Sequence, residues 1–316
     1  MSEPEKISHL PVNIGWVSVG VADMAVVRAL WVEQLGLEIV ARRVGPDAAL
    51  AGLWGIPAEQ IEEQLLLGTP GSTTGRLHFV QFRKPQPPVR EGAAPTDLGA
   101  KNLDVNCVDM PLLVAGLKQS GYEFRSAIAE YEIDSIQARE VQMPVHDALN
   151  LVLIEVLSKG FEVDFTNKGY AALTSFVVIV PDVNQEVKFY ERLFGMQNIL
   201  THKLSGKAIE EAACLPSGTV LDLHLLGDPK SLFGRMELIE YVGVGGADLF
   251  SVAVAPARGI LGCGFVVESL EAFSKLASAN EIDVRSLPES DLLYGRGRLK
   301  KLSSPAGLAI QIFERT

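Results

Sequence analysis

The stretch Ser175-Phe-Val-Val-Ile-Val-Pro-Asp-Val-Asn-Gln-Glu-Val-Lys-Phe-Tyr-Glu-Arg-Leu-Phe-Gly195 contains an apolar strand followed by an amphipathic helix. Asp182 is a typical helix N-cap, and Gly195 suits the left-handed conformation that often ends a helix. Residues 16–36 repeat this pattern, with Asp23 in the position of Asp182. The sequence therefore predicts the same strand–helix unit at two places in the chain.

The repeat extends well beyond this unit. An offset of 159 residues also aligns Pro57 with Pro216, and Leu66-Leu67-Gly68 with Leu225-Leu226-Gly227. After one inserted residue, Gly99 aligns with Gly259. Because turn and strand-end residues stay in register, we infer two homologous halves, each with two βαβββ modules. We predict an N-terminal domain over 10–157, a linker over 158–172 and a C-terminal domain over 173–316.

The composition favours a soluble globular protein. The chain has 316 residues, 47% of them hydrophobic, and a formal net charge of −11. An acidic surface repels nucleic-acid phosphates and anionic lipid, so we expect neither nucleic acid nor a membrane as a partner. The polar N-terminus and the absence of a long apolar run predict a soluble protein. Three widely spaced cysteines indicate neither a disulfide framework nor a zinc knuckle, and they predict a reducing, cytoplasmic location.

The modules carry local signatures of a known superfamily. Val-Ala-Asp-Met at 21–24 and Val-Pro-Asp-Val at 180–183 mark equivalent strand–helix junctions, and Ser304-Pro-Ala-Gly307 marks a final turn. With Val187–Gly195, these segments resemble the vicinal oxygen chelate superfamily, which includes glyoxalase I, bleomycin-resistance proteins and extradiol dioxygenases. The resemblance implies an α+β fold. Four βαβββ modules would form two glyoxalase-like incomplete barrels, each around one cleft.

The resemblance also implies positions for the ligands of one divalent metal in each cleft. In the N-terminal half these are Trp16, His78, Asn102 and either Leu153 or Glu155; in the C-terminal half they are Ser175, Glu237, Gly262 and Gln311. A catalytic Zn, Fe or Mn site takes about three imidazole or carboxylate ligands. Neither set offers them, so we expect no cofactor. If a divalent metal is present, His78, Asn102 and Glu155 are the predicted ligands.

Proton transfer is the chemistry that remains without a metal. We predict that Glu237 faces a largely apolar cleft, where burial would raise its pKa and suit it as a general acid or base. A pair formed by His78 and Glu155 is the second catalytic candidate. The predicted substrate-binding residues are Trp16, Asn102, Ser175, His224, Gln311 and Tyr294. Purely structural roles for Glu237 and His78, and cleft filling by Trp16, are the alternatives.

Three functions are compatible with these residues. We favour a metal-independent lyase or isomerase that acts on a hydrophobic, oxygen-bearing, aromatic or polycyclic small molecule. The first alternative is a protein that binds or sequesters such a molecule without turnover, as bleomycin-resistance proteins do. The second is an extradiol-dioxygenase-like metalloenzyme with atypical ligands. Edge pairing between modules of two chains would give a homodimer, which the sequence leaves open.

Overall fold

The computed structural model describes residues 10, 12–133, 136–158, 164–207, 210 and 215–316. Within these ranges the chain forms sixteen strands and five helices, and the order strand, helix and three strands recurs four times. The predicted α+β fold with four βαβββ modules is confirmed. Residues 159–163 of the predicted linker lie outside the described ranges, and its last residues already belong to a strand.

The first half of the chain contains two modules. Module 1 comprises β1 (Trp16–Val21), α1 (Met24–Val27, continued by a π-helical segment, Arg28–Gln34), β2 (Glu38–Val44), α2 (Ala48–Trp54), β3 (Ile61–Gly68) and β4 (Arg76–Phe82). Module 2 comprises β5 (Gly99–Cys107), α3 (Met110–Gln119), β6 (Ala129–Ile133), β7 (Ile136–Pro144) and β8 (Asn150–Val156).

The second half repeats this order. Module 3 comprises β9 (Tyr170–Ile179), α4 (Val183–Phe194), β10 (Gln197–Leu204), β11 (Val220–Gly227) and β12 (Arg235–Val242). Module 4 comprises β13 (Gly259–Val266), α5 (Leu270–Ala279), β14 (Arg285–Leu292), β15 (Gly295–Ser303) and β16 (Ala309–Arg315). Among the described residues, no helix is long and apolar enough to cross a bilayer.

Two strands begin later than the sequence indicates. The sequence predicts one strand near 121–127 and another near 282–286, whereas the structure has them at Ala129–Ile133 and Arg285–Leu292. In both modules the third residue after the helix still donates its backbone N–H to a carbonyl of the helix. Tyr122 donates to the Leu117 carbonyl at 3.0 Å, and Ile282 to the Ala277 carbonyl at 2.9 Å. These bonds keep the segment in the helix C-terminus.

The sequence repeat suggests that consecutive modules pair, 1 with 2 and 3 with 4, but the structure pairs them differently. Modules 1 and 4 form one eight-stranded sheet, here the terminal sheet, through antiparallel pairing of β1 with β13. Modules 2 and 3 form the other, the central sheet, through antiparallel pairing of β5 with β9. Each half of the chain thus contributes one module to each half-barrel. The boundaries at 10–157 and 173–316 stay a prediction for sequence units, but neither unit forms a barrel by itself.

Each sheet has a helix-facing side and a cleft side. On β1, Val17 and Val19 pack with α1 in the main hydrophobic core, whereas Trp16 packs on the opposite side with Leu50 and Leu53 of α2. The same core also contains the helix-facing residues of the central sheet. Because side chains alternate along a strand, this assignment fixes which residues line the terminal cleft and which line the central cleft.

Candidate active site

The pairing of modules sorts the predicted site residues into new groups. Trp16, His78 and Gln311 lie on strands of the terminal sheet, and Tyr294 lies in the turn between its strands β14 and β15. Asn102, Ser175 and Glu237 lie on strands of the central sheet. Glu155, Leu153 and His224 lie on the helix-facing sides. The predicted pair of His78 with Glu155, and the ligand set of His78, Asn102 and Glu155, are therefore divided between two sheets.

Glu155 binds the N-terminus of a helix and does not face a cleft. Its carboxylate accepts the backbone N–H groups of Asp109 at 2.8 Å and Met110 at 3.2 Å, and it contacts Arg139 at 3.3 Å. Leu153, two residues earlier on the same face, is fully buried in the main core. Neither Glu155 nor Leu153 reaches a cleft, so the structure does not form the predicted pair of Glu155 with His78.

His224 is also turned away from the cleft. Its neighbours Leu223 and Leu225 share the face of Ile239 and Glu237, their partners on β12. The His224 ring instead contacts Asn198 at 2.9 Å, Thr201 at 3.3 Å and Asp222 at 3.3 Å. The structure therefore places His224 outside the substrate-binding set that the sequence predicts.

Aromatic side chains close the inner part of the terminal cleft. The Trp16 ring stacks on the Tyr294 ring at a centroid distance of 4.0 Å and meets Phe313 edge-on. A Cβ atom on Gly264 would lie 2.2 Å from the Trp16 ring, so only glycine leaves room for it. The Tyr294 hydroxyl donates to Gln311 Oε1 at 2.8 Å. Trp16 is 2% exposed and fills the cleft.

His78 lies beneath this aromatic layer in a chain of buried polar groups. Gln64 Nε2 donates to Asp47 at 2.8 Å, which leaves Gln64 Oε1, 3.1 Å from His78 Nε2, as the acceptor of the ring N–H. His78 Nδ1 lies 3.4 Å from Ser18 Oγ. Burial lowers the pKa of His78 to about 3, although Asp47 opposes this shift. A neutral, sealed imidazole is unsuited to exchanging protons with a substrate at neutral pH.

The central cleft brings three acidic side chains to one face. Asp104 on β5 is 2% exposed, whereas Glu140 on β7 and Glu237 on β12 are half-buried. Ser175 donates its hydroxyl to Asp104 Oδ2 at 2.7 Å. The other carboxyl oxygen of Asp104 is buried and has no hydrogen-bond partner among the described residues. A buried oxygen of this kind is ready to bond a ligand or to carry a proton.

Burial keeps these acids protonated at higher pH than usual. Desolvation, followed by the nearby Glu140 charge, raises the pKa of Glu237 to about 8, while Lys101 opposes the shift. Desolvation and then Glu237 raise the pKa of Asp104 well above its ordinary value. Desolvation also raises the pKa of Glu140. Because Glu140 raises the pKa of Glu237, and both raise that of Asp104, the three acids together keep protons at higher pH than isolated carboxyl groups do.

The rest of the central cleft has a polar wall and an apolar wall. Asn150 donates to Asn102 at 2.9 Å, and Lys101 donates to the Tyr241 hydroxyl at 2.9 Å. The apolar wall consists of buried residues from β9, β11 and β12, namely Val177, Ile179, Leu221, Ile239 and the ring of Tyr241. The expectation of a largely apolar environment for Glu237 is therefore only half right.

Sequence reasoning missed Asp104, Glu140 and Lys101. A signal for Asp104 is present in β5, where Asn102, Asp104 and Asn106 alternate with Leu103, Val105 and Cys107. Such alternation predicts one polar and one apolar face. It could have placed Asp104 beside Asn102. It could not have shown that β12, which carries Glu237, lies two strands away in the same sheet.

Solved structures match nearly the whole chain. Glyoxalase I from Zea mays matches with a TM-score of 0.64 and 14% identity over 96% of this chain and 92% of that chain. A proposed dioxygenase from Bacillus subtilis matches with a TM-score of 0.60 and 13% identity, over 97% of this chain and 86% of that chain. The chain has the vicinal oxygen chelate fold. No protein-family model and no curated protein matches it.

The vicinal oxygen chelate fold implies a metal, and the donors in this chain do not fit one. In the central cleft, three of the implied ligand positions are occupied by Ser175, Glu237 and Asn102. The fourth is occupied by Val152, the counterpart of Gln311 in the terminal sheet. This correspondence follows from the strand register, because Asp104 pairs with Val152 as Gly264 pairs with Gln311. Among these four positions only Glu237 is a carboxylate, which is too few for a catalytic divalent metal. Within the described ranges, no three His, Cys, Asp or Glu side chains form a group that could hold a metal.

Proposed function

We propose that the central cleft is the active site of a metal-independent lyase or isomerase that moves a proton on a small, oxygen-bearing molecule. The observation that carries this proposal is the cluster of Asp104, Glu140 and Glu237, which share one cleft face and have raised pKa values. Acids with raised pKa values are common where proton transfer occurs at neutral pH.

Glu237 has the properties of the group that transfers the proton. It is half-buried, so a ligand can reach it, and its pKa of about 8 lies close to neutral pH. In its ionised form it would accept a proton from a carbon next to a carbonyl group. Returning this proton to a neighbouring atom gives an isomerase, whereas loss of a leaving group from that atom gives a lyase.

Asp104 is suited to stabilise the negative charge that develops on an oxygen of the substrate during the reaction. A carboxylic acid held neutral by burial can donate a hydrogen bond to an oxygen that becomes negative during the reaction. Ser175 occupies one oxygen of Asp104, which leaves the unpartnered oxygen to carry the proton. Lys101 supplies a positive charge that stabilises the ionised forms of Glu237 and Glu140 and so lowers their pKa values. The apolar wall opposite would hold the hydrocarbon part of the substrate.

Hydrogen exchange with solvent tests this proposal without a known substrate. The protein is incubated in D₂O with a panel of small ketones, 2-oxo acids and aryl ketones, and deuterium uptake next to the carbonyl is followed by NMR. We expect uptake for at least one compound, and a loss of at least about 100-fold in Glu237→Gln. Glu240→Gln is the matched control, because Glu240 lies on the same strand but binds the α4 N-terminus.

The outcomes separate catalysis from binding. Equal uptake with Glu237→Gln and the unmodified protein would refute the catalytic role of Glu237. A compound that raises the melting temperature of the protein by binding in the central cleft, but exchanges no hydrogen, would indicate sequestration without turnover. Thermal unfolding of both variants checks that each is folded at the assay temperature.

A further inference from the structure

The open end of the terminal cleft holds a cavity that the proposed chemistry does not use. Its volume is about 640 Å³, which lies within the range of small-molecule sites. Its apolar lining includes Leu53 and Trp54 of α2 and Leu261 of β13. It belongs to the terminal sheet, whereas the acidic cluster belongs to the central sheet.

Two cationic side chains face this cavity from neighbouring strands. Arg285 of β14 lies directly opposite Lys301 of β15 in the antiparallel pair, and both line the cavity. Like charges directly opposite each other destabilise a sheet unless something offsets them. Within the described part of the chain, neither forms an ion pair with an acid, and Lys301 donates to the Leu53 carbonyl at 3.3 Å.

The other polar groups of the cavity are compatible with an anion. Gln311 uses its oxygen to accept the Tyr294 hydroxyl, which leaves its amide nitrogen as a donor. Ser303 adds a hydroxyl, and exposed Asp283 is an acidic lining residue. Arg285 and Lys301 therefore leave a net positive charge at the cavity of a chain with a formal net charge of −11.

We propose that this cavity binds a small carboxylate with an aromatic ring. The carboxylate would lie between Arg285 and Lys301, since a guanidinium and an ammonium both form strong hydrogen bonds to carboxylate oxygens. The ring would pack against Trp54 and Leu261, which supply a flat aromatic face and an aliphatic side chain. This second site is independent of the proton transfer proposed for the central cleft.

Calorimetric titration with 2-naphthoate tests the site, with 2-naphthalenemethanol as the uncharged analogue. We expect the carboxylate to bind at least about tenfold more tightly than the alcohol, and its affinity to fall at high salt. Arg285→Gln and Lys301→Met should each weaken 2-naphthoate about tenfold and leave the alcohol unchanged. Trp54→Leu should weaken both compounds, because both rings would use the same apolar wall.

The controls separate this site from general charge effects and from the proposed catalysis. Arg296→Gln removes a positive charge from the same hairpin, where Arg296 pairs with Glu289, and should not change binding. Glu237→Gln should also bind 2-naphthoate normally, so failure of the catalytic proposal leaves this result unaffected. Absence of binding up to about 5 mM, equal affinity for acid and alcohol, or undiminished binding by a folded Arg285→Gln/Lys301→Met protein would overturn the proposal.

Discussion

Glu237 and Glu240 lie on the same strand and face opposite sides of the sheet. Glu237 faces the central cleft, where desolvation and Glu140 raise its pKa. Glu240 faces the helix side and accepts the first N–H of α4, from Val183, at 3.0 Å. Both residues are glutamates, so their different surroundings decide their properties. On the cleft side burial raises the pKa of the carboxyl group, whereas on the helix side the carboxylate binds the N-terminus of a helix.

The raised pKa of Glu237 leads to a prediction of how the stability of the protein depends on pH. Its pKa is about 8 in the folded protein, against an ordinary value of 4.5, so the folded state holds the proton more tightly than the unfolded state. Stability should therefore fall as pH rises from about 5 to about 9. Glu237→Gln cannot ionise, so we expect its melting temperature at about pH 9 to exceed that of the unmodified protein by ~2–5 °C.

Melting temperatures across this pH range check the effect. The difference between the two proteins should shrink as the pH falls and disappear below about pH 4, where Glu237 is protonated in both states. Glu123→Gln, which changes an exposed glutamate, serves as the control and should leave the pH dependence unchanged. Parallel curves for Glu237→Gln and the unmodified protein would show that Glu237 ionises as easily in the folded state as in the unfolded state.

At the scale of elements, the last strand of every module binds the helix of its own module. Gln81, Glu155, Glu240 and Glu314 each accept the N–H of the first residue of α1, α3, α4 and α5, at 2.8–3.2 Å. The first N–H groups of a helix have no partner within the helix, and a negative charge near them is favourable. This contact explains why Glu155 belongs to the fold and not to a catalytic pair.

The α3 contact can be tested by substitution. Glu155→Ala should lower the free energy of unfolding by about 1–2 kcal/mol, because two backbone N–H groups lose their acceptor. Glu155→Gln should lose less, because module 1 uses Gln81 in the same place. Urea unfolding measures both. Glu130→Gln is the control, since Glu130 also pairs with Arg139 but does not contact a helix; equal losses in Glu155→Ala and Glu130→Gln would contradict the assignment.

Most strands and helices could be predicted from the sequence. The prediction of cleft-facing residues on β8 failed, because an error of one residue moves a side chain to the other face of a strand. Val152, and neither Leu153 nor Glu155, is the counterpart of Gln311. The preceding turn contains two left-handed residues, Asp147 and Ala148, and has no glycine from which the register could be counted. Since side chains alternate along a strand, a shift by one residue exchanged the cleft side for the helix side.

At the scale of the whole molecule, the repeat identifies the modules but not their partners. Strands β1, β5, β9 and β13 are the first strands of four similar modules, so each presents a similar edge to a neighbour. The structure pairs β1 with β13 and β5 with β9, and one core contains the helix-facing residues of both sheets. Sequence periodicity contains no information on this choice, because it depends on contacts between distant parts of the chain.

This arrangement predicts that the two halves of the chain are interdependent. Cutting the chain at the connection between β8 and β9 would leave each half with one module of each sheet, and with unpaired edges on β1 and β5 or on β9 and β13. Unpaired edges and an exposed core face favour aggregation or self-association. We expect neither residues 1–158 nor residues 164–316 alone to form a cooperatively unfolding monomer, whereas the co-expressed halves should purify as a 1:1 complex with one thermal transition.

Size-exclusion chromatography with light scattering measures the oligomeric state of each half and of the complex, and thermal unfolding measures the number of transitions. A folded, monomeric half would instead support the barrels of consecutive modules that the sequence repeat suggests.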